Sequence, residues 1–220
     1  MAYILCIETS TTNCSVALAK DDKIIQLKED YNSSYSHAER LHNFINDVIK
    51  GAGIDISDLS AISVSKGPGS YTGLRIGVSA AKGLCYALDI PLISIPTLES
   101  LAIQITEEGA YVVPMIDARR MEVYSAVFES MRYDEVRETK AEILTETSFQ
   151  TYLKDKKVYF IGNGVDKFSK ICNDVNAVFI QNKLPSANEM AMLSYPKFLR
   201  QDFEDVSYFD PYYLKDFVTG

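Results

Sequence analysis

An internal repeat is the feature of this 220-residue sequence that most constrains its fold. At a shift of 109 residues, Ile7-Glu8 falls on Ile116-Asp117 and Ala17-Leu18 falls on Ala126-Val127. In both copies an apolar strand ends in a carboxylate, turns, and returns as a second strand. The repeat predicts an α/β fold of two βββαβα-type halves with mixed sheets, residues 1–108 and 109–220, and a cleft between the halves as the expected ligand site.

Hydrophobic periodicity places the individual strands and helices within each half. The first half is predicted to have strands near 2–8, 14–20, 23–29, 60–65 and 91–96. Its first predicted helix begins at Ser36, in the capping box "SHAE". The second runs through the glycine-rich segment to about residue 88, and the third begins at Thr97. Predicted strands of the second half lie at 111–118, 121–129, 132–138, 157–161 and 177–180, with helices at 146–154, from 165, and at 187–199.

Charge and composition disfavour a nucleic-acid-binding protein, a membrane protein and an exported protein with disulfides. Thirty acidic residues against 22 lysines and arginines give a net charge of -8, which disfavours strong direct binding of nucleic acid but not an acidic subunit of an RNA-modifying complex. The apolar runs are too short for a membrane span or a signal peptide. The four cysteines have no CxxC spacing, so we expect free thiols in a cytoplasmic protein: Cys6, Cys14, Cys85 and Cys172.

The segment "KGPGSYTGLRIGVSAAKGL", residues 66–84, holds five of the eleven glycines although most of it is predicted to be helical. A glycine inside a helix costs about 1 kcal/mol relative to alanine, so the helical glycines require a compensating role. The first glycines could cradle a phosphate, but the segment matches no nucleotide-binding motif and Pro68 removes one amide. Gly73, Gly77 and Ala81 recur every four residues and would admit a close neighbour, from this chain or from another subunit.

Three further sets of polar residues and glycines are candidates for chemistry. A nucleotide with Mg²⁺ could lie at the strand end and turn of the first copy, with Asp117 opposite and the glycines of "IGNG" nearby; alternatively these residues satisfy their own turns. His37 and His42 are five residues apart on a helix and do not share a face, so we expect surface histidines and no metal site. The nucleotide candidates are Glu8, Thr9, Ser10, Thr11, Asp117, Gly162 and Gly164.

Taken together, several segments resemble the bacterial TsaB (YeaZ) family over nearly the whole chain. They are "ILCIETSTTNCSVAL", "SHAERL", "KGPGSYTGLRIGVSAAKGL", "PTLESLA", "IDARRMEVYSAVF", "GNG" and "PYYLK". The resemblance implies an actin-like (ASKHA) fold duplicated from a ribonuclease-H-like half. It also implies a non-catalytic partner of TsaD, the subunit that transfers a threonylcarbamoyl group to a tRNA adenosine.

The resemblance further implies heterodimer formation with TsaD, assembly with the ATPase TsaE, a homodimer as a second mode of pairing, and only indirect contact with tRNA. No cofactor is expected, and binding of ATP or ADP with Mg²⁺ is the alternative. An ATP-dependent kinase or carbamoyl transferase of the same fold is the alternative, and a metalloprotease is disfavoured. Partner contacts in the family involve the first two helices. The resemblance therefore implies that the following residues of this chain contact a partner: Leu41, Phe44, Ile45, Val48, Gly73, Leu74, Gly77, Val78, Ala80 and Ala81.

Overall fold

The fold divides into two units, each built around one five-stranded sheet. The structure, a computed structural model, describes residues 1–31 and 37–215. The first unit comprises Met1–Thr97 with Pro185–Gly220, and the second comprises Leu98–Leu184. The predicted helix cap at Ser36 lies outside the described residues.

The sheet of the first unit has the strand order β3-β2-β1-β4-β5. Strands β1, β2 and β3 pair antiparallel, whereas β4 and β5 extend the sheet in parallel with β1. Their bounds are β1 Tyr3–Glu8, β2 Cys14–Lys20, β3 Lys23–Asp30, β4 Ala61–Gly67 and β5 Leu92–Pro96. The five strands predicted for this half are therefore confirmed.

Side-chain alternation in β1 sends apolar groups to both faces of this sheet. Leu5 and Ile7 pack with helices α1 (His37–Ala52) and α2 (Tyr71–Leu88) on one face. Ile4 and Cys6 pack on the other face against α6 (Ala187–Leu199). Burial on both faces explains why β1 reads as a continuous apolar run.

The second unit repeats the topology of the first. Its sheet has the order β10-β9-β6-β7-β8, in which β6 pairs antiparallel with β7 and parallel with β9, as β1 does with β2 and β4. The strands are β6 Tyr111–Asp117, β7 Glu122–Glu129, β8 Glu135–Ile143, β9 Val158–Ile161 and β10 Ala177–Ile180, and the helices are α3 Thr97–Ala102, α4 Gln150–Leu153 and α5 Val165–Ser169. The predicted duplication with mixed sheets is confirmed.

The predicted boundary between residues 108 and 109 does not match the units, because the last helix of each repeat packs on the other repeat's sheet. Leu98 and Leu101 of α3 join the core of the second unit, with Val112 and Ile116. Met190 of α6 joins the core of the first. A sequence repeat marks which segments are homologous, not which sheet each apolar helix face covers.

Two elements of the second half differ from their predicted bounds. Strand β8 begins at Glu135, later than predicted, because Met131 and Tyr133 take left-handed backbone conformations in the preceding turn. Helix α4 is shorter than predicted because Phe149 has φ 63° and its ring packs against Phe160 and Phe168. The apolar spacing at 146–154 therefore arises partly from the buried Phe149 ring, and the helix itself covers only the second part of this segment.

None of the helices in the described part of the chain is long and apolar enough to cross a membrane. All four cysteines are free and buried.

Candidate functional site

Gly73 and Gly77 of α2 face the interior of the first unit, where the turn between β1 and β2 lies against them. The Thr9 hydroxyl donates a hydrogen bond to the Gly73 carbonyl oxygen at 2.8 Å. A Cβ atom at Gly73 would collide with the Thr9 carbonyl oxygen, and one at Gly77 would collide with the Thr9 hydroxyl. The compensating role of these glycines is therefore the close approach of a segment of the same chain.

The β1–β2 turn also lies against the start of α2. Ser70 caps the helix by accepting from the Gly73 amide, and its own amide donates to the Ser10 carbonyl oxygen at 2.6 Å. A Cβ atom at Gly69 would lie 2.5 Å from that carbonyl oxygen. Gly69, one of the two glycines that suggested a phosphate cradle, thus admits the β1–β2 turn, whereas a Cβ atom on Gly67 would lie 2.8 Å from the Tyr212 carbonyl oxygen.

Most of the predicted partner-contact residues lie on the inward faces of the two helices. Gly73 and Gly77 share their face with the large apolar residues that fill the core, so a partner cannot reach that face while the unit is folded. Of the ten residues, only Phe44 and Ala80 are partly exposed. The other eight are buried: Leu41, Ile45, Val48, Gly73, Leu74, Gly77, Val78 and Ala81.

The outward face of α1 and α2 instead forms an open groove of about 830 Å³. Its lining combines small residues with two half-buried aliphatic ones, Ile76 and Leu84, and nothing lies within 4 Å of a Cβ atom built on Gly83. His42 and Arg75 add polar groups to the lining. The lining residues are Ala38, His42, Tyr71, Thr72, Arg75, Ile76, Ser79, Ala80, Gly83 and Leu84.

The C-terminal segment, residues 202–213, supports one rim of this groove. Lys82 donates hydrogen bonds to the carbonyl oxygens of Ser207 (3.3 Å) and Phe209 (2.9 Å). The Tyr213 ring lies 4.6 Å from the Tyr71 ring, which in turn carries the Arg75 guanidinium at 4.6 Å from its centroid. Sequence reasoning missed this role; the late aromatic motif "PYYLK" was its only signal.

Glu8, the first nucleotide candidate, is fully buried at the end of β1. Its Oε1 accepts from the Ser10 amide at 2.6 Å and from the Ser65 hydroxyl at 3.0 Å. Burial raises the pKa of this carboxyl group above its ordinary value, although the contacts with Ser10 and Ser65 oppose the shift. The second carboxyl oxygen, Oε2, is buried without a hydrogen-bond partner within residues 1–31 and 37–215. Because Glu8 is fully buried, a metal-bound water could reach this oxygen only if the surrounding contacts opened.

Thr9, Ser10 and Thr11, the turn residues of the nucleotide hypothesis, are also buried. The carbonyl oxygen of Thr11 is 2.7 Å from Nε2 of His37. His37 is therefore a buried histidine and not the surface residue that was predicted, and burial lowers its pKa. Across residues 1–31 and 37–215, no three His, Cys, Asp or Glu side chains converge as a metal site would require.

Asp117 and the two glycines of "IGNG" belong to one interlocked turn of the second unit. The Asp117 carboxylate accepts from the Arg119 amide at 2.5 Å and pairs with the Lys167 ammonium group at 3.0 Å. Gly162, at φ 121°, and Gly164 bring the β9–α5 turn against the β6–β7 hairpin. A Cβ atom on Gly162 would collide with the Met115 carbonyl oxygen, and one on Gly164 would lie 2.8 Å from Cγ1 of Val123. Each residue has a structural role here, and the predicted nucleotide cleft stays a prediction.

Comparison with known proteins extends over nearly the whole chain. A family model described as "TsaD: tRNA N6-adenosine threonylcarbamoyltransferase" matches residues 31–219. The tRNA threonylcarbamoyladenosine biosynthesis protein TsaB of Bacillus subtilis is 33% identical over 78% of this chain and 76% of its own length.

Solved structures give the same result for the fold. YeaZ from Pseudomonas aeruginosa is 27% identical, with a TM-score of 0.83 over 97% of this chain and 100% of that one. The activator of the 2-hydroxyisocaproyl-CoA dehydratase from Clostridium difficile, at 9% identity and a TM-score of 0.52, covers 91% of this chain and 96% of its own, and shares the fold alone. The chain belongs to the TsaB (YeaZ) family of tRNA threonylcarbamoyladenosine biosynthesis proteins and has a duplicated actin-like fold.

Proposed function

We propose that this chain is a non-catalytic partner of a TsaD threonylcarbamoyltransferase and is required for N6-threonylcarbamoyladenosine formation in tRNA. The observation that supports this proposal most strongly is the open groove on the outward face of α1 and α2. These are the two helices that the family resemblance assigns to partner contact. Family membership supports the pathway, and the buried or paired state of Glu8 and Asp117 supports a role without chemistry of its own.

The groove has the chemistry of a helix-packing surface. Ser79, Ala80 and Gly83 leave the α2 backbone open to close approach, as small residues do where two helices cross. Ile76 and Leu84 supply apolar area, and removing it from water stabilises a complex by about 25 cal/mol per Å² before the costs of association. Arg75 and His42 in the lining can fix the orientation of a partner through polar contacts.

The remaining parts of the assembly follow from this proposal. The groove can take TsaD or, in its absence, a second copy of this chain, while TsaE joins the larger complex elsewhere. The protein works in the cytoplasm, which suits four free buried thiols, and it requires no cofactor. The ATP-dependent alternative would have to open the contacts of Glu8 described above.

Reconstituted tRNA modification with Ser79→Arg and Ser57→Arg tests the proposal. Both residues are exposed, but Ser79 lines the groove whereas Ser57 lies outside α1 and α2. Ser79→Arg should weaken association with TsaD by at least tenfold and lower the modification rate, because a long charged side chain blocks close helix packing. Ser57→Arg should change neither quantity. Equal association of TsaD with both variants and the unmodified chain would contradict the proposal.

A further inference from the structure

A second surface stands out in the hairpin between β6 and β7, residues 117–122, which we call the arginine turn. Arg119 and Arg120 are consecutive exposed residues with left-handed backbone angles, φ 72° and φ 50°. Such angles are unfavourable for residues with a Cβ atom, and glycine or asparagine would adopt them more readily. The two arginines therefore occupy positions whose backbone conformation favours glycine or asparagine.

The turn is held from behind by a lysine that is largely shielded from solvent. The Lys167 side chain is 14% exposed, and its ammonium group donates to the carbonyl oxygens of Arg120 at 2.6 Å and Glu122 at 3.0 Å. It also pairs with Asp117, whose amide donates to Oδ1 of Asn163 at 2.8 Å. Contacts from β9–α5 thus fix the backbone that presents the arginines.

The arginine side chains themselves take no part in this network. Within residues 1–31 and 37–215, neither the Arg119 nor the Arg120 guanidinium group has a hydrogen bond, ion pair or ring contact. Asp117 and Glu122 each lie two residues from the arginine pair in sequence, and the Asp117 carboxylate is neutralised by Lys167. Two guanidinium groups on a fixed backbone therefore remain available for an external anion.

We propose that the arginine turn contacts phosphate groups of the tRNA backbone directly in the assembled complex, in place of the indirect contact expected from the family resemblance. This inference rests on the proposed function. Guanidinium groups bind phosphate through paired N–H donors, and a fixed backbone lowers the entropy lost on binding. With a net charge of -8, this chain alone does not attract RNA, so the contact operates once a partner has brought tRNA close. RNA is favoured over an acidic protein surface because the relatives are tRNA biosynthesis proteins.

The test measures tRNA affinity of the complex of this chain with TsaD and TsaE over a series of KCl concentrations. The variant is Arg119→Gln/Arg120→Gln, and the control is Arg132→Gln/Arg200→Gln, which removes the same charge from exposed positions outside the turn. Arg119→Lys/Arg120→Lys retains the charge. Arg119→Gly/Arg120→Gly relieves the backbone and guards against a folding defect.

Each phosphate contact contributes about 0.7–0.9 to the slope of log K against log salt concentration. Loss of both should reduce the slope by about 1.4–1.8 and weaken binding on the order of 25- to 60-fold at about 0.1 M salt. The Gln and Gly pairs should behave alike, the Lys pair should keep most of the slope, and the control should match the unmodified complex.

Three results would overturn the inference. One is an unchanged slope in the Gln pair, and another is an equal change in the control. The third is weakened assembly of the subunits with unchanged tRNA affinity, which would assign the turn to an acidic protein surface. Failure of the unmodified chain to support tRNA modification would instead refute the proposed function, so the two failures are distinguishable.

Discussion

Replacing Gly73 with alanine is the sharpest test of how α2 is packed. The new methyl group would lie 2.1 Å from the Thr9 carbonyl oxygen, a backbone atom that cannot rotate away. Alanine gains about 1 kcal/mol of helix propensity. Against this stand about 1 kcal/mol for the Thr9–Gly73 hydrogen bond and about 1–3 kcal/mol for overpacking. The free energy of unfolding should therefore fall by about 1–3 kcal/mol.

Gly83→Ala is the matched control, because Gly83 lies on the same helix with nothing within 4 Å of its would-be Cβ atom. It should gain only the propensity term and raise the free energy of unfolding by up to about 1 kcal/mol. Urea denaturation followed by circular dichroism measures both variants. If Gly73→Ala were neutral or stabilising, the placement of the β1–β2 turn against α2 would be wrong.

Two further predictions concern buried charge. Because burial raises the Glu8 pKa, the folded state holds its proton more tightly than the unfolded state, and stability falls as pH rises above the unfolded value of about 4.5. Glu8→Gln should match the unmodified chain near pH 4 and become progressively more stable than it towards pH 8 in denaturation curves; a gap independent of pH would contradict this. Lys167→Met removes three charge-assisted contacts, so it should cost about 1–3 kcal/mol and speed amide hydrogen exchange at residues 118–122. Unchanged exchange there would show that Lys167 does not hold the arginine turn.

The architecture was predictable because it depends on local patterns that recur. The strand ending in Ile7-Glu8 and its copy ending in Ile116-Asp117 occupy equivalent strands, β1 and β6, of two sheets with the same order. Gly53 follows the last residue of α1 with φ 68°, a left-handed conformation that glycine favours at the end of a helix. These features need only short-range periodicity and turn chemistry.

The direction of the glycine stripe could not be settled from helical spacing, because its neighbour, Thr9, lies 64 residues away in the sequence. Spacing shows that Gly73 and Gly77 share a face but not what covers that face. One signal was present: Leu74 and Val78 lie on the same side, whereas polar residues such as Arg75 lie on the other. The apolar side of an amphipathic helix packs on its own sheet by default, which points the glycines inward.

The exchange of terminal helices was equally inaccessible to sequence reasoning. Both α3 and α6 have apolar faces, and either sheet could bury them. Their assignment depends on long-range packing, so the repeat alone placed the boundary in the wrong position.

Thiol alkylation at the groove tests the central claim most directly, because the four native cysteines are buried and give little background. Ser79→Cys introduces a thiol in the groove, and Ser57→Cys introduces one on an exposed turn outside it. Both should react readily in the free chain. Addition of TsaD should protect the thiol at position 79 and leave that at position 57 reactive. Equal reactivity at both positions in the complex would show that the outward face of α2 does not bind the partner.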